Sequence, residues 1–304
     1  MVDKRDRKRV MFPLTIMLLS GCLLLIASGV YADTEKAKEY FNNGVTAQKD
    51  GNDSLAVEEY KLALKEDNAF IDAHINLGSI MFGQDKLNDA IDHFKKATEI
   101  DAANADAWAN LGRVYYKNEN YLEGEQALKK ALENDKENLE LYKDLGRIYH
   151  VQKNWPELVN VMTTYTNGVA DDYLGFYLLG KGYQKLKKMP EAIAALKKVT
   201  QLKPDYFNAF NSLGQIYQSQ EQYTQAFQMY DTAVKLKPDN YLAAYNLAIA
   251  YEYDNQENID QVISYWNKFL KIAKSNPRAK KLVEGTEAHL AELQELKTYQ
   301  EETE

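Results

Sequence analysis

The chain has 304 residues, 45% hydrophobic and 27% charged, which supplies a core and excludes wholesale disorder. With 15 Gly, 6 Pro and one Cys, breakers are too sparse for a strand-and-turn architecture, and a disulfide framework or cysteine-based zinc site is excluded. Net charge is −8, but residues 1–32 are basic and the remaining 272 carry −11, so the acidic body argues against nucleic acid as a partner.

The first predicted element is an address. Residues 4–9 read KRDRKR, and the next 23, from Val10 to Ala32, carry no charge. A basic segment before an apolar run is the pattern of an export signal. Three outcomes stay open. Val30 and Ala32 suit cleavage after Ala32. The run is also long enough to remain as a membrane anchor. Leu19-Ser20-Gly21-Cys22 resembles a bacterial lipobox with Cys22 lipidated, although Leu23 to Ile26 keep the chain apolar beyond it. In every case the body is expected outside the cytoplasm, whether periplasmic, secreted or anchored, and touches a membrane only through this segment.

From residue 37 the chain repeats every 34 residues: Gly44, Gly78, Gly112, Gly146, Gly180 and Gly214, with Ala248 at the next step. A leucine precedes each from Gly78 onward, and Tyr115, Tyr149, Tyr183, Tyr217 and Tyr251 follow three residues after. Further on come a small residue (Ala56, Ala90, Gly124, Ala192, Ala226), a large one (Tyr60, Phe94, Leu128, Met162, Leu196, Tyr230) and an alanine (Ala63, Ala97, Ala131, Ala233). Pro204 and Pro238 close two units. A fixed period of this length indicates a solenoid of stacked helical hairpins, each too small to bury its own apolar stripe. In each hairpin, helix A places residues such as Trp108, Leu111 and Tyr115 on one face, and helix B answers with Ala127, Leu128 and Ala131. The glycine is expected to let a neighbouring backbone approach. The fourth unit has Leu158, Met162 and Tyr165 where others have small, large, small, so its helices are expected to be pushed apart or tilted around Trp155 to Asp172.

These residues resemble the tetratricopeptide repeat (TPR), whose pattern is W-x2-L-G-x2-Y, then A-x3-F, A and P. The resemblance covers units 37–70, 71–104, 105–138, 139–172, 173–206 and 207–240, and a seventh, 241–276, with two extra residues in its turn. It implies an all-α TPR superhelical solenoid of about seven helix-turn-helix repeats. Residues 277–304, opening at Asn276-Pro277 and carrying Val283, Leu290, Leu293 and Leu296, are expected to form a capping helix, with Gly285 as a point where it can bend.

No catalytic or phosphate-binding motif occurs, the histidines at 74, 93, 150 and 289 are scattered, and the acidic turns lack the calcium-loop pattern. No enzyme activity, cofactor or metal is therefore expected, and binding remains. The resemblance implies that helix A lines a concave groove that holds an extended peptide, through the second, fifth, sixth, ninth, twelfth and thirteenth positions of each unit.

Two features fall there. Asn42, Asn76, Asn110 and Asn246 share the sixth position and resemble the asparagine ladder of the O-GlcNAc transferase TPR superhelix, in which an amide pairs with peptide backbone. The alternative is that each asparagine bridges neighbouring helices. Second, Arg113, Lys117, Lys143, Arg147, Lys181 and Lys185 form a basic stripe. With Lys38 and Lys49, groove positions hold eight basic against five acidic residues (Asp72, Asp106, Glu140, Asp144, Glu252), which favours an acidic partner, unless the stripe is spent on ion pairs across helices. Phe82, Tyr116 and Tyr177 on groove positions, with Phe41, Tyr245 and Tyr253, supply aromatic contacts. The chaperone-clamp pattern is absent: Ile75, Ser79, Glu140 and Asp144 stand where it needs amide or basic residues.

The expected function is an extracytoplasmic scaffold that captures an extended protein or peptide segment and supports assembly of a larger complex. The alternatives are a structural protein that self-associates through its convex face or C-terminal helix, and an enzyme with a groove site.

Overall fold

The computed structural model describes residues 34–303, and every regular element among them is helical. The leader with Cys22 lies outside the described residues. Among those described, no helix is long and apolar enough to cross a membrane.

The chain divides into two compact units, one ending at Lys136 and one beginning at Glu137. In the first unit α1 spans residues 34–49, followed by α2 (Asp53–Glu66), α3 (Ile71–Gly83), α4 (Leu87–Ile100), α5 (Ala105–Lys117) and α6 (Tyr121–Asn134). The second holds α7 (Leu139–Gln152), α8 (Trp155–Gly168), α9 (Tyr173–Lys185), α10 (Met189–Leu202), α11 (Phe207–Ser219), α12 (Tyr223–Leu236), α13 (Tyr241–Asp254) and α14 (Ile259–Ala273). A 3-10 turn, Pro277–Ala279, then leads into α15 (Lys280–Thr303). Odd-numbered helices through α13 are the A helices and even-numbered ones the B helices. Consecutive helices pack along each unit, and α3 also touches α5, α7 touches α9, and α9 touches α11. Neighbouring A helices thus come closer together than neighbouring B helices, so within each unit the A row is the inner side.

The repeat glycines make room for side chains more than for backbone. A Cβ on Gly44, Gly78, Gly112, Gly180 or Gly214 would lie 2.6–3.0 Å from Tyr60, Phe94, Leu128, Leu196 or Tyr230, the large helix-B residue of the same hairpin. Each of these partners is at most 1% exposed. Backbone also comes close at two of them, the Gly124 carbonyl 3.2 Å from a Cβ on Gly112 and the Ala192 carbonyl 3.5 Å from one on Gly180, but in each tight pair the nearest contact is a large knob from helix B seated on a bare patch of helix A.

The fourth repeat departs from expectation in an instructive way. Its helix α8 is a regular 14-residue helix, as long as α4, α6, α10 and α12. Leu158, Met162 and Tyr165 are buried, at 0, 0 and 1% exposure. Their bulk is taken up by glycines in α9. A Cβ on Gly175 would meet Tyr165 at 2.7 Å, and one on Gly182 would meet Val159 at 2.7 Å and Leu158 at 3.4 Å. The third, fourth and sixth units place Ala107 and Val114, Leu141 and Ile148, or Ala209 and Ile216 at the places of Gly175 and Gly182. Large-for-small on one helix is thus matched by small-for-large on the next, and volume is conserved.

The turns carry a feature that only Gly51 announces. Gly51, Asp85, Glu119, Lys153, Lys187 and Glu221 occupy one position in six successive repeats, and all are left-handed, with φ of 59–75°. Five of the six have a side chain and carry the strain of that conformation. The longer turn of the seventh repeat differs, with Asn255 at φ −138°.

His74, in the place of Trp108, is a core residue at 8% exposure. Its Nε2–H donates to the Asn68 carbonyl (3.2 Å), and its Nδ1 lies 3.1 Å from Nδ1 of His93. The ring centroids are 5.4 Å apart, about as far as that contact allows, so the two nitrogens face each other along one line. His93 is then the donor, and burial pushes both histidines below their ordinary pKa.

α15 runs unbroken through Gly285 and packs antiparallel on α14, with Lys274 on Glu287 at 3.0 Å and Lys297 on Asp260 at 2.6 Å. Leu282, Val283, Leu290 and Leu293 face the core around Trp266 and Phe269, while Leu296 is 48% exposed. The C-terminal helix therefore takes the place of a further A helix.

Candidate functional site

The sequence-selected residues lie on the A helices, and their side chains differ sharply in what they already touch. In the first unit, Asn42 is exposed on α1. Asn76 donates to Tyr60 Oη at 3.1 Å, and that hydroxyl donates to Gln48 Oε1 at 2.9 Å, so this amide links α3 to the preceding hairpin. Asn110 accepts from Arg113 at 3.3 Å. Lys117 pairs with Asp85 at 2.7 Å and lies 5.1 Å above the Phe82 ring. Tyr116 sits 5.9 Å from Tyr121.

In the second unit the basic residues are more deeply engaged. Lys143, 19% exposed, contacts Asp172 at 3.1 Å and Glu140 at 3.4 Å. Asp172 also accepts from Tyr165 Oη at 2.7 Å and caps α9 through the Leu174 amide at 2.9 Å, so one carboxylate ties together α7, α8 and α9. Burial opposes its charge, but the bonds from Tyr165 and Lys143 outweigh that and hold its pKa below the ordinary value. Burial and the Asp172 contact push the Tyr165 phenol up to about 12. Burial works against the Lys143 cation, yet its bonds to Asp172 and Tyr165 raise its pKa overall. Arg147 donates to Asp144 at 3.1 Å, and Lys181 donates to Gln184 at 2.8 Å. Burial first, and Lys185 second, pull the Lys181 pKa down, and Lys185 sits 6.0 Å over the Trp155 ring. Tyr177 is half-buried edge-on to Tyr206 at 5.2 Å.

Asn246 stands apart. It lines an open cleft of about 1080 Å³ at the end of the second unit, walled by α11, α13 and α15. Gln215, Gln218, Tyr245, Glu252 and Tyr253 join it from A-helix positions, and Thr286 and His289 join from the C-terminal helix. The Glu252 carboxylate accepts from Trp266 Nε1–H at 2.7 Å and faces His289 Nε2 at 2.9 and 3.1 Å, which fastens α15 to the last hairpin. Gln218 Oε1 accepts from Tyr230 Oη at 2.8 Å. Of this group the sequence pattern singles out Asn246, Tyr245, Tyr253 and Glu252. The two glutamines sit at groove positions but are neither charged nor aromatic, and Thr286 and His289 join only because α15 folds back. Among the described residues no group of three or more His, Cys, Asp or Glu side chains is placed to hold a metal ion.

Family models described as TPR repeat match residues 80–119 and 180–220, and models described as tetratricopeptide repeat match 105–138 and 207–240. The repeats within those matched residues are tetratricopeptide repeats. Solved structures show the same solenoid fold. The chain is similar to YrrB, described as a TPR protein with an unusual peptide-binding site, at 25% identity over 62% of this chain and 96% of that one, with a TM-score of 0.59. It is similar in fold to pilF of Pseudomonas aeruginosa (22% identity, 73% and 98% covered, TM-score 0.57). It is likewise similar to the C-terminal part of a TPR repeat-containing protein from Cytophaga hutchinsonii (18%, 79% and 98% covered, TM-score 0.64). No curated protein matches. TPR repeats generally mediate protein–protein interaction and scaffolding.

Proposed function

We propose that this TPR chain is a binding scaffold outside the cytoplasm that holds an extended segment of a partner protein on its A-helix face. One observation carries the reading: in the second unit that face opens into a cleft lined by Gln215, Asn246, Tyr253 and Gln256, polar and aromatic side chains that the core does not consume. The similarity to YrrB, a protein described as having a peptide-binding site, supports it. Capture works by shape and hydrogen bonding on a rigid stack, with no chemical step. The placement outside the cytoplasm rests on the basic-then-apolar leader.

Photo-crosslinking from single positions tests the reading. A photoreactive residue at Gln215, Asn246 or Tyr253 should yield a partner adduct, and one at Lys129 or Glu133 on the B row should not. Adducts only from the B row would overturn it. Reversing Arg113, Arg147 and Lys181 to Glu separates an acidic partner, whose capture is lost, from an uncharged one, whose capture survives. N-terminal sequencing of the mature protein decides between cleavage and retention of the leader, and cell fractionation that finds the chain inside the cytoplasm removes the export claim.

A further inference from the structure

The stripe and the cleft differ in what their polar groups leave over. Along the stripe three of the six cations are ion-paired within the protein, Lys117 by Asp85, Lys143 by Asp172 and Glu140, and Arg147 by Asp144, and Arg113 and Lys181 already bond to Asn110 and Gln184. An acidic ligand there must compete with partners already in place, and such exchanges return little free energy. In the cleft the charged groups are few, and Glu252 is already held by Trp266 and His289. Its amides, by contrast, keep open valences. Gln215, Asn246 and Gln256 line the cleft with no protein partner for their side chains among the described residues, and Gln218 retains both N–H donors while its oxygen serves Tyr230.

A side-chain amide offers two donors and an acceptor from one planar group. Its natural counterpart is another amide presenting a donor and an acceptor, which is what an extended peptide backbone repeats along its length. The aromatic residues add apolar surface for side chains. Tyr253 is 55% exposed and stacks on Tyr223 at 4.7 Å, while Tyr245 stands edge-on to Trp266 at 5.3 Å. Glu252 in the wall repels a carboxylate and Lys281 offsets it, so the cleft as a whole favours no charge.

We infer that the cleft between α11, α13 and α15 binds an extended, uncharged peptide segment through its backbone, with Gln215, Gln218 and Asn246 as the hydrogen-bonding residues and the C-terminal helix as one wall. This rests on the reading of the A-helix face as a peptide site. It goes further by placing the site at one end of the chain, by making its ligand neutral and by making α15 part of the recognition surface.

The test is selection of a random displayed peptide library on the full chain, followed by affinity measurement on synthetic peptides. Enriched sequences should lack charge across the bound stretch, and their affinity should change less than about twofold over the salt range in which exposed charges become screened. Asn246→Ala and Gln215→Ala should each weaken binding about tenfold, the loss of paired hydrogen bonds. Gly285→Phe is the key variant. A side chain at Gly285 meets nothing within 4 Å and points into open space on the cleft wall, and replacing a helical glycine favours the helix, so the fold is kept while the cleft is filled. Binding should disappear in Gly285→Phe and survive in Gly285→Ala, with circular dichroism unchanged in both. Enrichment of acidic peptides lost on Arg147→Glu and Lys181→Glu, with normal binding by Asn246→Ala and Gly285→Phe, would overturn this inference and leave the peptide reading standing. Selection of no peptide at all would overturn both, as would a glycan array showing a neutral sugar as the ligand that Gly285→Phe displaces.

Discussion

The middle of the second unit and its end use the same helix-A positions for opposite purposes. Around α7 to α9 the polar residues face inward to one another: Asp172 alone receives Lys143, Tyr165 and the Leu174 amide. Around α11 to α15 the positions held there by Arg147, His150 and Asp144 carry Gln215, Gln218 and Asn246, which leave donors and acceptors facing an open cleft. Charge at a groove position is therefore a poor guide to binding, because a charge half-removed from water recruits a counter-charge from its own chain. A neutral amide incurs less desolvation cost and can remain unpaired at a wet surface until a ligand arrives.

The comparison can be broken in order of effect. Tyr165→Ala empties the space that Gly175 opens and should cost about 3–5 kcal/mol in chemical denaturation. A loss below about 1 kcal/mol would mean that the fourth repeat is not packed as described. Asp172→Asn removes the charge that three groups share and should cost about 2 kcal/mol. Because bonding holds the Asp172 pKa below its ordinary value, its contribution is complete above that value and disappears as pH falls through the lowered one. Wild type should therefore lose stability in acid below about pH 4 more steeply than Asp172→Asn. Neither substitution touches the cleft, so peptide affinity of the folded fraction should be unchanged.

The turns give a smaller contrast. Lys187, between α9 and α10, sits at φ 60°, so Lys187→Gly should raise stability by about 0.5–1 kcal/mol. The equivalent change at Asn255, with φ −138°, should give no gain. The last test is pH. Burial first, and then Lys181, hold the His150 pKa below the ordinary histidine value of about 6.5. The unfolded chain therefore takes the proton first, and stability is full above that value and declines as pH drops below it. Melting temperature should fall between pH 7 and pH 5 less in His150→Gln than in wild type. The lowered values of His74 and His93 act in the same direction in the first unit.

Much of the fold was legible because its determinants are local. A 34-residue period fixes where each hairpin starts, and the spacings of Trp108, Leu111 and Tyr115 assign a helix face before any packing is known. The capping role of the C-terminal helix followed from its apolar stripe after Asn276-Pro277. The regularity of α8 was not legible because the complements of Leu158, Met162 and Tyr165 lie in another repeat: Gly175 and Gly182 are ordinary until the structure sets them against those side chains. The left-handed turns were invisible at Asp85, Glu119, Lys153, Lys187 and Glu221 because no residue type there requires that conformation.

By itself the sequence determined the repeat, the helix pairs, the core positions and which residues face the inner row, since each depends on neighbours a few residues or one period away. Only the tertiary structure decided which of those inner residues are spent and which are available. Lys143 meets a carboxylate 29 residues on, and His289 meets one 37 residues back, because pairing depends on where helices come to lie beside one another.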